Sequence, residues 1–135
     1  MLKTTVLTGT GGRVVIMDSI TKLAPEDAGA HVVSASHGGI SAGEVALAVP
    51  LASVFFNDAG VGKDGAGIAA LAMLEAAGVA AGTVGHATAR IGDGWDTWEN
   101  GVISHANGPA AARGLVPGRR LGDALAAALR GPEAI

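Results

Sequence analysis

From residue 31 onward the chain repeats one pattern: a short apolar run, a glycine-containing turn, then an Ala- and Leu-rich stretch of helical length. That alternation is how βαβ units read in sequence, and it commits the chain to a parallel sheet covered by helices. The strand runs are His31-Val32-Val33-Ser34-Ala35, Ser53-Val54-Phe55-Phe56-Asn57 and, weakest of the three, Ala80-Ala81-Gly82-Thr83-Val84. Ser41–Ala48 and Asp64–Ala77 read as helices between them. In the second of these Ile68, Leu71, Ala72 and Leu74 have helical spacing, and Gly78 stands where a left-handed C-cap is favoured. Trp95–Asn100, Pro109–Arg113 and Arg120–Arg130 read as further helices, with Pro117-Gly118 as a turn before the last and Gly131-Pro132 closing it. Ahead of this rhythm, Thr4-Thr5-Val6-Leu7 and Val14-Val15-Ile16-Met17 flank the turn Gly9-Thr10-Gly11-Gly12 and predict a β-hairpin or two successive short strands at a sheet edge.

A chain of 135 residues suits one domain with one continuous core. The expected fold is therefore a single small α/β domain over residues 1–135. It holds a mostly parallel sheet of about four or five strands with helices on both faces, plus the N-terminal hairpin or edge strand.

Composition narrows the partners. Hydrophobic residues make up 49% of the chain and charged residues 16%, against roughly 25% charged in an average soluble domain. A surface so short of charge exposes apolar patches in a monomer, which predicts a homo-oligomer. Net charge is −3 and the basic residues are scattered apart from Arg119-Arg120, so no stripe awaits a phosphate backbone and nucleic acid is not an expected partner. With two Phe and two Trp as its aromatic residues, the chain has few stacking platforms, and a small non-aromatic ligand fits better. No Cys is present, which removes thiolate nucleophiles, disulfides and Cys-ligated metals. No run of about 18 apolar residues and no signal-type N-terminus is visible, so the expectation is no membrane span and a cytoplasmic location.

In open parallel sheets ligands bind beyond the carboxyl ends of the strands. Here three strand ends deliver polar groups: Ser36-His37-Gly38-Gly39, Asn57-Asp58-Ala59-Gly60-Val61-Gly62-Lys63, and Gly85-His86 followed by Arg90. Histidine as a residue type can move protons at cellular pH, which makes His37 and His86 the acid–base candidates, with Asp58 orienting one of them. Lys63 or Arg90 would hold an anionic group of the ligand, and the backbone of Gly38, Gly39, Gly60 and Gly62 would donate to an oxyanion or carboxylate, flanked by Ser36 and Asn57. Ser36 or Ser41 could equally serve as a helix N-cap, and Asp58 or Asp64 could cap the helix that follows them. Asp93 could cap the next helix while Arg90 pairs with a neighbouring carboxylate. His31 reads as an ordinary surface residue.

Two motif readings compete. Gly60-x-Gly62-x-x-Gly65 matches the dinucleotide fingerprint, but the following strand ends in Gly85-His86 and offers no acidic residue for a ribose. The Walker pattern fails, because Asn57 and Asp64 stand where it needs Gly and Ser or Thr, and no Gly-x-Ser-x-Gly nucleophile elbow occurs. The favoured function is a cofactor-free hydrolase, lyase or isomerase acting on a small, polar, anionic metabolite. The alternative is a non-catalytic small-metabolite-binding module or a subunit of a larger enzyme. A divalent metal on His37, Asp58 and His86 is a minority reading, since two His and one carboxylate form a recognised ligand set.

Overall fold

Residues 1–130 are described by the computed structural model, so the expected closing pair Gly131-Pro132 lies outside the described residues. They form one small α/β domain around a mixed six-stranded sheet: β1 (Lys3–Gly9), β2 (Gly12–Met17), β3 (His31–His37), β4 (Ser53–Asn57), β5 (Ala80–Val84) and β6 (Ile103–Ala106). The spatial order equals the sequence order. β2 to β5 run parallel, while β1 and β6 are antiparallel edges. The sheet is thus wider than the expected four or five strands and parallel only in its middle. The N-terminal hairpin is not merely an edge, because β2 enters the parallel set beside β3.

Stepping through β2, β3, β4 and β5 in one direction by right-handed crossovers puts every connection between them on the same face. That face carries α1 (Ile40–Leu47) and α2 (Ala69–Ala76), whose Ala42, Ala46, Ala70, Leu71 and Leu74 close over Val32, Val54, Phe56 and Ala81. After β5 the chain changes sides. The second face is covered by α3 (Gly94–Asn100), α4 (Gly108–Ala111) and α5 (Leu121–Arg130), which bring Trp98, Ala110, Leu121, Leu125 and Leu129 onto Val14, Ile16, Val33, Phe55 and Val84. The loop leaving β4 therefore turns to one face and the loop leaving β5 to the other. Neighbouring parallel strands whose exits diverge leave a crevice between their carboxyl ends, where α/β sheets bind ligands.

β3, β4 and β5 begin at the expected residues, and β3 runs two residues further, to His37. Four details differ from expectation. The strand β6 was not expected: Ile103-Ser104-His105-Ala106 is short and half polar, and it is a strand because β5 pairs with it, through Gly82↔Ala106, Thr83↔His105 and Val84↔Ile103. α2 starts at Ala69 instead of Asp64, because Asp64 and Gly65 take left-handed backbone (φ 57° and 71°) and break the segment Lys63–Ile68 into 3-10 turns. Neither serine caps α1, whose N-cap is Gly39, and α2 has no side-chain cap at all. His31, expected at the surface, is 4% exposed and sits 2.7 Å from the Ser53 hydroxyl through Nδ1. Among the described residues no helix is long and apolar enough to cross a membrane.

Gly82 explains why β5 looks weak in sequence yet lies deep in the sheet. It pairs with Phe55 across the β4–β5 ladder, and a Cβ at Gly82 would stand 2.6 Å from Phe55 Cε2 and 2.7 Å from the His105 carbonyl oxygen. The ring occupies the space a side chain would need. Gly82→Ala should therefore lower stability by about 1–3 kcal/mol, against the propensity of alanine over glycine in a strand, because overpacking dominates. Urea denaturation reads this directly, and an unchanged or raised midpoint would contradict the packing assigned here.

Candidate functional site

Asp58 is the first residue beyond β4 and its side chain is 7% exposed. Its Oδ1 accepts hydrogen bonds from the backbone amides of Gly60 (2.8 Å) and His86 (3.1 Å). His86 Nδ1 stands 3.4 Å from Oδ1, and His105 Nδ1 is 3.9 Å from Oδ2. Burial pushes this carboxyl up, but the Gly60 amide, the Ser104 hydroxyl, the His86 amide and the His86 ring outweigh it, so Asp58 titrates below its ordinary value of 3.8.

His86 is the accessible member, with its side chain 61% exposed. It lies over Gly60, where its Cε1, Nδ1 and Nε2 come within 3.6, 3.7 and 3.8 Å of where a Cβ would be, and Gly60 itself needs its left-handed φ of 77°. A carboxylate beside Nδ1 favours the tautomer protonated there and leaves Nε2 as a basic nitrogen. The same residue lines a cavity of about 320 Å³ with Thr88, Arg90, Asp96 and Asn100. Arg90 holds Asp96 Oδ2 through its backbone amide at 2.8 Å and more loosely through Nη1 at 3.5 Å. Asp93 caps α3 by accepting from the Asp96 amide.

His37 is not brought to this pair. It ends β3, exposed, with its Cδ2 and Nε2 3.1 and 3.2 Å from the Cβ position of Gly39. It lines a second cavity, of about 570 Å³, together with Gly39, Ser41, Gly62 and Lys63. Ala59 and Val61 line that cavity too, whereas Gly60 between them lies under His86, so the loop after Asp58 stands as the wall between the two spaces.

The remaining expected site residues serve the scaffold. Ser36 Oγ accepts from the Ile20 amide at 2.9 Å. Asn57, fully buried, gives Nδ2 to the Ala89 carbonyl and accepts the Ala59 amide on Oδ1. The amide of Gly38 goes to the Asn57 carbonyl and that of Gly62 to the Gly60 carbonyl. With the Gly60 amide on Asp58, these three amides expected for an oxyanion are engaged within the protein. Gly65 of the dinucleotide pattern does not supply the close helix–strand approach. Gly67 does: a Cβ there would overlap the Asp58 carbonyl oxygen.

Ser104, His105 and Thr83 belong to the site and were not among the expected residues. His105 carried a signal as a titratable residue near the third loop, but its place depended on β6. Among the described residues no group of three or more His, Asp or Glu side chains is arranged to hold a metal ion. No protein-family model, curated protein or solved structure matches the chain.

A carboxylate whose folded pKa lies below its unfolded value adds stability above the unfolded pKa, and that stability is lost as pH falls through the folded pKa. Asp58→Asn should therefore cost about 1–3 kcal/mol at neutral pH by leaving partners of a buried acceptor unsatisfied. The gap to wild type should narrow as the pH drops below about 4. Denaturation midpoints of both proteins across that range check it; a gap of constant size down to acid pH would remove Asp58 from the role assigned.

Proposed function

We propose that this chain is an acid–base enzyme acting on a small anionic molecule in the crevice between the carboxyl ends of β4 and β5. The observation that carries the reading is the buried Asp58 carboxylate 3.4 Å from Nδ1 of a largely exposed imidazole, His86. Asp58 orients the ring and stabilises the imidazolium formed when Nε2 takes a proton, which makes His86 the general base and, on returning the proton, the general acid. Arg90, in the same cavity, binds the anionic group: its own contact with Asp96 is long and solvent-exposed, so a carboxylate can replace it by a bidentate pair. His37 and Lys63 across the Ala59–Gly62 wall would meet the remainder of a longer substrate. No cofactor is needed for such proton transfer, and hydrolysis, elimination and isomerisation are the reaction types open to it.

The second reading, a non-catalytic metabolite-binding module or a subunit of a larger enzyme, draws on a different observation. The amides of Gly38, Gly60 and Gly62 are already bonded, so these glycines offer no preformed oxyanion cradle. A homo-oligomer fits either reading, since Ile91 and Trp95 beside the His86 loop are exposed apolar side chains.

A thermal-shift screen against small carboxylates, amides and phosphates comes first, because a ligand at a hundred times its Kd stabilises the native state by about 2.7 kcal/mol. The expected hit is a carboxylate whose shift disappears in Arg90→Ala. With that compound or its analogues, His86→Gln should abolish turnover, by about 100-fold or more, while Kd changes only a few-fold. Equal loss of affinity without any turnover in wild type would favour the binding module, and no shift with any carboxylate would sink the anionic-substrate reading.

A further inference from the structure

We propose that His105 is a second acid–base group of this site, sharing the Asp58 carboxylate with His86 so that the two imidazoles hold one proton between them. This rests on the acid–base reading of the crevice. The carrying observation is a β-bulge. Along the β5–β6 ladder the register passes from Thr83↔His105 to Val84↔Ile103, leaving Ser104 as an extra residue. In a regular strand Ser104 and His105 would point to opposite faces. Here both reach one hydroxyl: Ser104 Oγ lies 2.9 Å and His105 Nδ1 3.3 Å from Thr83 Oγ1, and the two are 3.1 Å from each other. Bulges beside active sites re-aim side chains in this way. The result is one nearly dry carboxylate with an imidazole on each oxygen, His86 on Oδ1 and His105 on Oδ2, both rings open to solvent at 61% and 38% of their side-chain surface.

One carboxylate supports one imidazolium well. A second proton puts two cations beside a single anion, so the charge on one ring opposes protonation of the other. The other charged groups facing His86, Arg90 and Asp96, lie close enough to offset each other. Between the two protonation steps the site therefore holds an acid and a base together. Such a pair relocates a proton on the substrate. The neutral imidazole takes a proton from a carbon next to a carboxylate or carbonyl, the C–H bond breaks and its electron pair enters the conjugated system. The imidazolium then delivers its proton to another atom of the same molecule, which isomerises it, or to the opposite face of the same carbon, which epimerises it, and the site ends with the same number of protons. The substrate class this fits is an enolisable acid undergoing isomerisation or epimerisation.

The test needs no substrate. Histidine Cε1–H resonances of the full chain are followed by NMR from acid to alkaline pH in wild type, His86→Gln, His105→Gln and Asp58→Asn, with His31 and His37 as internal references for an intact fold. Removing either ring should raise the midpoint of the other, by about half a pH unit or more for whichever ring protonates second, and turn its curve into a single step. Asp58→Asn should move both midpoints down. His86 lies on an exposed loop, so His86→Gln carries the test even where His105→Gln disturbs β6. Curves for His86 and His105 that superimpose on wild type in both Gln variants overturn the shared proton. That outcome removes His105 and leaves the His86–Asp58 base in place, whereas failure of the carboxylate screen would count against the enzyme reading alone.

Discussion

One buried carboxylate is the meeting point of three separate stretches of chain at the edge of the sheet. Asp58 binds its own loop through the Gly60 amide and the exit of β5 through the His86 amide, and it faces the edge strand β6 at His105, 3.9 Å from Oδ2. A carboxylate out of water is costly unless its oxygens are satisfied, and here the donors outweigh the desolvation. The backbone locks the same residue from the other side. Gly67 approaches the Asp58 carbonyl so closely that no side chain fits, the Val61 amide donates to that carbonyl at 2.6 Å, and the Gly67 amide donates to Val61 at 2.6 Å. Gly38 closes the stack: a Cβ on it would stand 2.7 Å from the Gly67 carbonyl oxygen.

This locking accounts for the backbone of the wall between the two cavities. Ala59, Val61 and Asp64 all have positive φ, at 51°, 68° and 57°, a conformation that costs a β-branched residue such as Val61 most. Strain of about 1–3 kcal/mol per residue persists only where the surroundings over-determine it. The short hydrogen bonds around Asp58 and Gly67 do so, and they hold Gly60 flat beneath the His86 ring. The backbone of the loop and the seating of the His86 ring over Gly60 thus have one origin.

The strands β3, β4 and β5 were legible because each is a compact apolar run bounded by turn residues, and the convergence of their exits followed from parallel topology alone. That convergence placed Asp58 near the two histidines, but it did not tell which of them, His37 or His86, the carboxylate meets. What escaped was whatever depended on long-range pairing. β6 owes its existence to β5, and the Ser104 bulge is a property of two strands together, so the sequence of either carries no sign of it. Ser36 read as either a ligand-flanking residue or a cap for α1, yet its hydroxyl meets the Ile20 amide, a partner sixteen positions upstream. His37 was expected beside Asp58, but β3 carries it outward into the neighbouring cavity. The late start of α2 has a local cause, Asp64 and Gly65 in left-handed backbone, that glycine content suggests only in hindsight, since Asp64 adopts it too.

The two edges of the sheet show why histidine does different work at each. At the amino ends of the strands His31 lines a cavity of about 550 Å³ walled largely by alanines, and its ring is 2.7 Å from the Ser53 hydroxyl. Burial pushes its pKa down; the Gly11 carbonyl works against this and the Arg113 charge adds to it. Among the described residues no carboxylate forms an ion pair with it, and burial disfavours its charged form, so this imidazole serves packing. At the carboxyl ends the chain must turn out of the sheet to opposite faces, which opens a crevice, exposes the His86 ring and leaves a dry carboxylate behind it. An imidazole with a buried anion on one nitrogen and solvent on the other can gain and lose a proton without rearranging its surroundings. The divergence of the β4 and β5 exits, rather than the identity of any one residue, is what makes that combination available to this fold.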